Sequence, residues 1–174
     1  MRLPTELGSC VLRAWAASDK PALLRHADDR RVWRNMDDSF PHPYTAVHAD
    51  DWIAMASRPG PSVHCAIELD GEAVGGIGVI AGAGVSRRCG RLGYWLGASA
   101  WGRGIATAAT RAFAPHVLAA TDLVRLEARV YAWNPASARV LEKSGFAHES
   151  VQRRSVFKDG QLADSALYVR LRDD

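Results

Sequence analysis

The run from Trp101 to Thr107, "WGRGIAT", sets two glycines around one arginine just before an alanine-rich stretch whose apolar residues, Ile105, Ala108, Ala109, Ala112 and Phe113, recur at helical spacing. The first N–H groups of a helix have no acceptor within it, and the positive end of the helix dipole adds to their pull on an anion. Gly102 and Gly104 let a ligand approach the backbone closely, and Arg103 adds a mobile cation. A diphosphate fits such a turn, with Arg87, Arg88 and Arg91 as further cations from the preceding segment. The spacing Gly102, Gly104, Thr107 misses the dinucleotide fingerprint GxGxxG by one place, and no GxxxxGK[ST] phosphate loop occurs. Gly-Arg-Gly also makes an ordinary strand-to-helix turn, so the neighbouring segments must decide between the two readings.

A second constellation lies downstream in "AWNPASARVLEKSGF". Asn134 is a favoured N-cap, Pro135 a favoured first helical residue, and Gly145 a natural left-handed cap, so this helix is bounded by its own sequence. Just before it, period two puts Glu127, Arg129 and Tyr131 on one strand face. Glu127 there either serves an amine as a base, directly or through water, or sits in an ion pair with Arg129.

These groups need a frame. "SCVLRAWAASD" reads as a first strand, followed by a helix capped at Ser18 or Asp19 with Pro21 in its first turn. "TAVHADDWIAMAS" is a second amphipathic helix; "VHCAIEL" and "AVGGIGVIAG" form a hairpin about the "DGE" turn at Asp70 to Glu72. "RLGYWLG", the helix "GIATAATRAFAPHVLAA", "VRLEARVYAW", the helix "PASARVLEKS" and a terminal hairpin "SVFKDGQLADSALYVRLR" complete an α+β order with a largely antiparallel sheet. Pro115 is expected to kink or shorten its helix.

The chain has 174 residues, 48% hydrophobic and 24% charged, which predicts one domain over residues 1–174. Its 22 basic and 19 acidic side chains leave a formal charge of +3, compatible with a small anionic ligand and too slight to require nucleic acid. Cys10, Cys65 and Cys89 are odd in number and without a CxxC pair, which argues against a disulfide framework or zinc site and for a reducing cytoplasm. No signal-peptide or membrane-spanning run is legible, and no histidine spacing suggests a metal.

"GYWLGASAWGRGIATAATRAF" followed by "RLEARVYAWNPASARVLEKSGF" resembles the acetyl-CoA-binding core of the GNAT N-acetyltransferases, in particular their RimJ/RimL-type branch. "CVLRAWAASD", "FPHPYT", "DDWI" and "AIELDGEAVGGIGV" extend the resemblance over nearly the whole chain. It implies a mixed, mostly antiparallel twisted sheet flanked by helices, with the fourth and fifth of the strands read above splayed apart. It further implies that the backbone of Tyr94, Trp95 and Leu96 runs beside the pantetheine arm, and that a backbone N–H near Leu96 polarises the thioester carbonyl. The amides of Gly102, Arg103, Gly104, Ile105, Ala106 and Thr107 would hold the pyrophosphate, and Asn134 and Ser137 would lie near the pantetheine and thiol.

Three departures qualify the carry-over. Trp101 stands where the family often has Arg or Gln, leaving stacking or steric shaping as its role at the cofactor. Leu141 replaces the tyrosine that often protonates the leaving thiolate, so the resemblance assigns that task to Ser137. Arg91 replaces a frequent glutamate, leaving Glu127 as the candidate base. Trp33, Arg34, Tyr44 and Trp52 fall in the segment that forms an acceptor wall in the family, and aromatic residues at helical spacing also read as ordinary core. The implied activity is direct transfer of an acetyl group from acetyl-CoA to a primary amine, on a protein N-terminus or a small molecule. An acyl-CoA sensor without turnover is the alternative, and a homodimer is left open.

Overall fold

Alternating apolar residues along the chain assemble into a single 8-stranded sheet of order β1-β2-β3-β4-β5-β6-β8-β7. The strands are β1 (Arg2–Pro4), β2 (Cys10–Arg13), β3 (Val63–Leu69), β4 (Glu72–Ala81), β5 (Cys89–Leu96), β6 (Arg125–Tyr131), β7 (Ala147–Lys158) and β8 (Gln161–Leu171). The helices are α1 (Lys20–Ala27), α2 (Arg30–Trp33), α3 (Ala46–Ala56), α4 (Ile105–Ala120) and α5 (Pro135–Lys143). This is a computed structural model, and it describes residues 2 to 172. Among those residues no helix is long and apolar enough to cross a membrane.

Every strand pair is antiparallel except β5 with β6, and that exception organises the molecule. The two strands are parallel and pair only through Cys89, Arg91 and the residue between, against Arg125 to Glu127. Beyond that point β5 stays bonded to β4 as far as Leu96, and β6 stays bonded to β8 as far as Tyr131. The sheet therefore opens into a wedge between the last halves of β5 and β6. This is the splay that the family resemblance implies; the short additional strand β1 shifts the strand numbers by one.

One apolar cluster fills the sheet face under α4 and α5, with Ile105, Phe113, Val117, Leu126 and Leu141 all at most 2% exposed. Truncating a phenylalanine such as Phe113 in a core of this kind costs about 3–5 kcal/mol. A second cluster, Trp15, Leu23, Val32, Tyr44, Ala49 and Trp95, lies on the other face beneath α1 to α3. The sheet separates the two.

Three local expectations change. Asp19 takes the cap position of α1, yet its side chain makes no cap bond there. It instead accepts from the Ala16 N–H at 2.9 Å and from Arg13 at 2.7 Å, because a buried carboxylate needs a charged partner more than a helix needs a cap. Pro115 does not end α4, which continues to Ala120. The terminal hairpin starts at Ala147 rather than Ser155, since the first half of β7 is mostly exposed and polar and carries no apolar alternation.

Candidate active site

Gly102 and Gly104 adopt φ of 74° and 78°, left-handed values that favour glycine, and a Cβ on either would meet no atom within 4 Å. Their need for glycine is thus conformational, and the turn faces open space. Ile105, 2% exposed, anchors the start of α4 in the core. Gly104 caps α4 with no side-chain bond, and the first amide to find a carbonyl is Ala108, which donates to the Gly104 carbonyl at 3.0 Å. Among the described residues, the backbone N–H groups of Gly102, Arg103, Gly104, Ile105, Ala106 and Thr107 have no protein acceptor. Arg103 is exposed beside them. Arg87 and Arg88 are elsewhere: they bond the carbonyls of Gly84 and Asp122, at the opposite end of β5 and about 25 Å from the turn by strand rise. Arg91 stands five residues before the end of β5, roughly 17 Å along the strand, so the expectation that the three arginines join the anion site is corrected.

The open edge of β5 follows from its ladder. The Gly97 N–H donates to the Val74 carbonyl at 2.8 Å, so Gly97 and Val74 form a hydrogen-bonded pair. Alternation along an antiparallel ladder then turns the N–H and C=O of Tyr94 and Leu96 away from β4 and into the wedge. The same alternation turns those of Trp95 toward β4, and its indole is buried in the second cluster. Of the three residues expected along the pantetheine, two present backbone to the wedge and Trp95 does not. Trp101 folds back, its Nε1–H donating to the Leu96 carbonyl at 2.8 Å while the ring stays 44% exposed. Its first role is to close the β5 terminus, which leaves the Leu96 N–H as the polar group aimed into the gap.

Across the wedge, α5 begins as its sequence predicts. The Asn134 side chain accepts from the Ser137 N–H at 3.2 Å, and Pro135 is the first helical residue. At the other end Gly145 has φ of 79°, with Gly145 N–H on the Glu142 carbonyl and Phe146 N–H on the Leu141 carbonyl, a Schellman closure. This fixed helix holds the Ser137 hydroxyl 2.8 Å from the Tyr94 hydroxyl, which also donates to the Ser137 carbonyl at 3.1 Å. Burial pushes the Tyr94 phenol up to about 12, against a smaller opposing effect of its bond to Ser137. Sequence reading missed this side-chain role for Tyr94, because nothing in a strand tyrosine announces which helix residue it will meet. Leu141 is buried at 1% and belongs to the core.

Glu127 and Tyr131 occupy the face of β6 opposite the buried Leu126, Ala128 and Val130. Glu127 pairs with Arg125 at 2.7 Å, not with Arg129, and Arg125 holds Glu149 at 2.6 Å as well. The pairing runs along one strand face, i to i+2, where Arg125 reaches two carboxylates at once. Near the wedge mouth, Trp133 donates to the Asn35 side chain at 3.2 Å and Arg34 lies over the Trp133 ring. The buried Lys158 bonds Asp38 at 2.8 Å and sits 3.9 Å above Trp33, so the segment after α2 is tied to the β7–β8 hairpin. Trp33 and Arg34 thus line this wall, whereas Tyr44 is core at 6% exposed and Trp52 packs edge-on to Trp15. His26 of α1 also reaches this region: its ring lies where a Cβ on Gly97 would be, 2.5 Å from Nδ1, and Glu72 holds its Nε2 at 2.8 Å.

Comparison with known proteins agrees with this geometry. Residues 10–147 match the family model described as an acetyltransferase (GNAT) domain. A probable N-acetyltransferase, YjcK, of Bacillus subtilis is 36% identical over 83 residues, and the ribosomal-protein-serine acetyltransferase of Escherichia coli is 32% identical over 82. Each match spans just under half of both chains, 48% and 46% for the first and 47% and 46% for the second. A solved structure of RimJ from Mycobacterium smegmatis, in complex with a coenzyme A disulfide, is 28% identical at a TM-score of 0.81, covering 98% of this chain and 86% of that one. A RimL ribosomal L7/L12 alpha-N-protein acetyltransferase in complex with coenzyme A shares the fold at a TM-score of 0.86 and 21% identity, covering 98% of both chains. With the wedge, the glycine turn and a family match over residues 10–147, the chain belongs to the GNAT acetyltransferase family.

Proposed function

We propose that this protein is an N-acetyltransferase that moves an acetyl group from acetyl-CoA to a primary amine by direct transfer in a ternary complex. The observation that carries the reading is the row of six unpaired amides, Gly102 to Thr107, opening beside the free edge of β5. Backbone donors at a helix start suit a pyrophosphate, and their glycines present no side chain to obstruct it. Acetyl-CoA supplies an activated thioester, so the chain's own residues need to position an amine, stabilise negative charge on oxygen and meet a leaving sulfur.

The Leu96 N–H is the donor for the oxygen, because its own carbonyl is occupied by Trp101 and its amide faces the wedge. Ser137 Oγ passes a proton to the leaving sulfur while accepting one from the nitrogen of the tetrahedral adduct, so its hydroxyl ends as it began. Neither hydroxyl is a net source of that proton, since an alcohol and a phenol near 12 are both weaker acids than an alkyl thiol, for which the free cysteine value of about 8.5 is a guide. The Tyr94 proton goes to the Ser137 carbonyl, so the Tyr94 oxygen accepts from Ser137 Oγ–H at rest and holds that hydroxyl in place. Asn134 acts through its cap, fixing the turn that carries Ser137. Glu127, held by Arg125, accepts the amine proton through water, since it stands three residues before the level of Tyr94, roughly 10 Å along the strand. Orientation supplies much of the remaining acceleration. A cytoplasmic setting belongs to the same reading and accords with the free thiols of Cys10, Cys65 and Cys89.

The test is thiol release from acetyl-CoA across amines, aminoglycosides and short peptides, beside calorimetric titration with coenzyme A. Binding with release is expected. Binding without release across the panel selects the sensor alternative, and failure to bind coenzyme A refutes both.

A further inference from the structure

The acceptor side of the wedge carries a charge pattern that the transfer chemistry does not use. On β5, Arg91 and Gly93 share one face; on β6, Glu127, Arg129 and Tyr131 share the same one, with Arg91 in register with Glu127. Glu127 shares Arg125 with Glu149, so Arg91, Arg125 and Arg129 together leave this face with one positive charge in excess of the two carboxylates. Arg91 and Arg129 are exposed and, among the described residues, neither has a hydrogen-bond or ion-pair partner. Most of the other cations on this side are committed: Arg125 to two glutamates, Arg34 to Gln161, Lys158 to Asp38 and Arg30 to Asp159.

Gly93 keeps the way open between the two arginines and the wedge. A Cβ there would meet no heavy atom within 4 Å, whereas the glycines of β4 facing β5 and β3 are tightly enclosed. Both guanidiniums also bear on the Tyr131 hydroxyl. Burial raises this phenol, Asp37 and Asp38 raise it further, and Arg91 and Arg129 act in the opposite direction. Arg129 shares its strand face with Tyr131, two residues further along β6 toward the end where the wedge is widest.

We propose that Arg91 and Arg129 select the acceptor: a peptide N-terminus followed within its first three residues by an Asp or Glu, whose carboxylate the two guanidiniums hold. The inference rests on the acetyltransferase reading of the wedge. Its length scale comes from the strands. Arg91 stands three residues before Tyr94, roughly 10 Å along β5, and an extended peptide spans about 3.5 Å per residue. A carboxylate on the second or third residue reaches that far from the reacting amine, while the carboxylate of a free α-amino acid does not. Paired guanidiniums suit a planar carboxylate, which they can bind bidentately.

The experiment compares peptides differing only at positions two and three, Ala against Asp or Glu against Lys, with a free amino acid as a further arm. Equilibrium binding is measured by calorimetry with coenzyme A present, and kcat/KM by thiol release. The acidic peptides are expected to bind at least tenfold more tightly than the neutral ones at low salt, with Lys peptides weakest and the free amino acid showing no preference. Arg91→Ala and Arg129→Ala should each erode that ratio, and the double variant Arg91→Glu, Arg129→Glu should reverse it toward Lys peptides, with coenzyme A affinity and melting temperature retained. Equal binding of acidic and neutral peptides, or a preference that survives the double variant, overturns the inference. The peptide-binding arm decides this whether or not acetyl is transferred, so its failure is distinguishable from failure of the enzyme reading.

Discussion

Replacing Gly104 with valine separates the turn's conformational role from its role toward a ligand. The residue sits at φ of 78°, where an L-residue with a Cβ pays about 1–2 kcal/mol and a β-branched one more, although no atom within 4 Å would clash with that Cβ. If the valine keeps the native backbone, the cost appears as lost stability, a fall in Tm of roughly 2–8 °C for a chain of this size, and its branched side chain stands in the open space beside the amides, where a pyrophosphate would approach. If it relaxes toward negative φ, the amides on either side turn away from their shared direction. Losing two charge-assisted hydrogen bonds to a pyrophosphate, at about 1.5–3 kcal/mol each, weakens binding by roughly 10² to 10⁴. Gly160→Val is the matched control: Gly160 has φ of 74°, an equally open Cβ position and a place in the β7–β8 turn. Calorimetric Kd for coenzyme A and thermal melts of both variants are the assays. The expected result is a similar loss of Tm in the two, with affinity lost in Gly104→Val alone. Unchanged affinity in Gly104→Val, with the melt lowered as expected, would refute the phosphate assignment and leave the turn as a strand-to-helix link.

Ser137→Ala should lower kcat by about 10² with little change in KM for acetyl-CoA. Tyr94→Phe should act through the same hydroxyl, so the double variant should be no worse than Ser137→Ala; additive losses in steady-state rates would show that the two side chains work separately. Trp101→Phe removes the indole bond to the Leu96 carbonyl and should cost about 0.5–1.5 kcal/mol by urea denaturation, and a neutral result would deny that bond a structural role. Burial holds the His64 imidazole below its ordinary value, so its contribution to stability is complete above about pH 6.5 and lost as pH falls through the folded-state value. His64→Gln should therefore flatten the decline in stability between pH 7 and pH 5 by at most about 1.4 kcal/mol per pH unit, read as urea midpoints at each pH.

Elements with a strong local signal were legible in the sequence. Asn134, Pro135 and Gly145 bound α5 because capping chemistry is written in adjacent residues, and the Asp70 to Glu72 turn fixes the β3–β4 hairpin for the same reason. The glycine turn was legible as a backbone conformation, and its unpaired amides follow from the helix it starts. What escaped was decided by contacts distant in the chain. Glu127 meets Arg125 rather than Arg129 because the side chain of Arg125 is also drawn to Glu149 of β7. Tyr94 finds Ser137 43 residues away, and Trp101 turns back onto Leu96 instead of outward. The first half of β7 hid because an exposed strand at the sheet edge carries no alternation to detect.

The two apolar clusters on opposite faces of the sheet share no side chain. Substitutions beneath α1 to α3 and substitutions around α4 should accordingly sum in their effects on folding free energy, as independent sites do. Evolution can then rework the wall built on Trp33, Asn35 and Trp133 without repacking the helix that starts at Ile105. A scaffold divided in this way lets one wall vary while the glycine turn and its row of amides keep their shape.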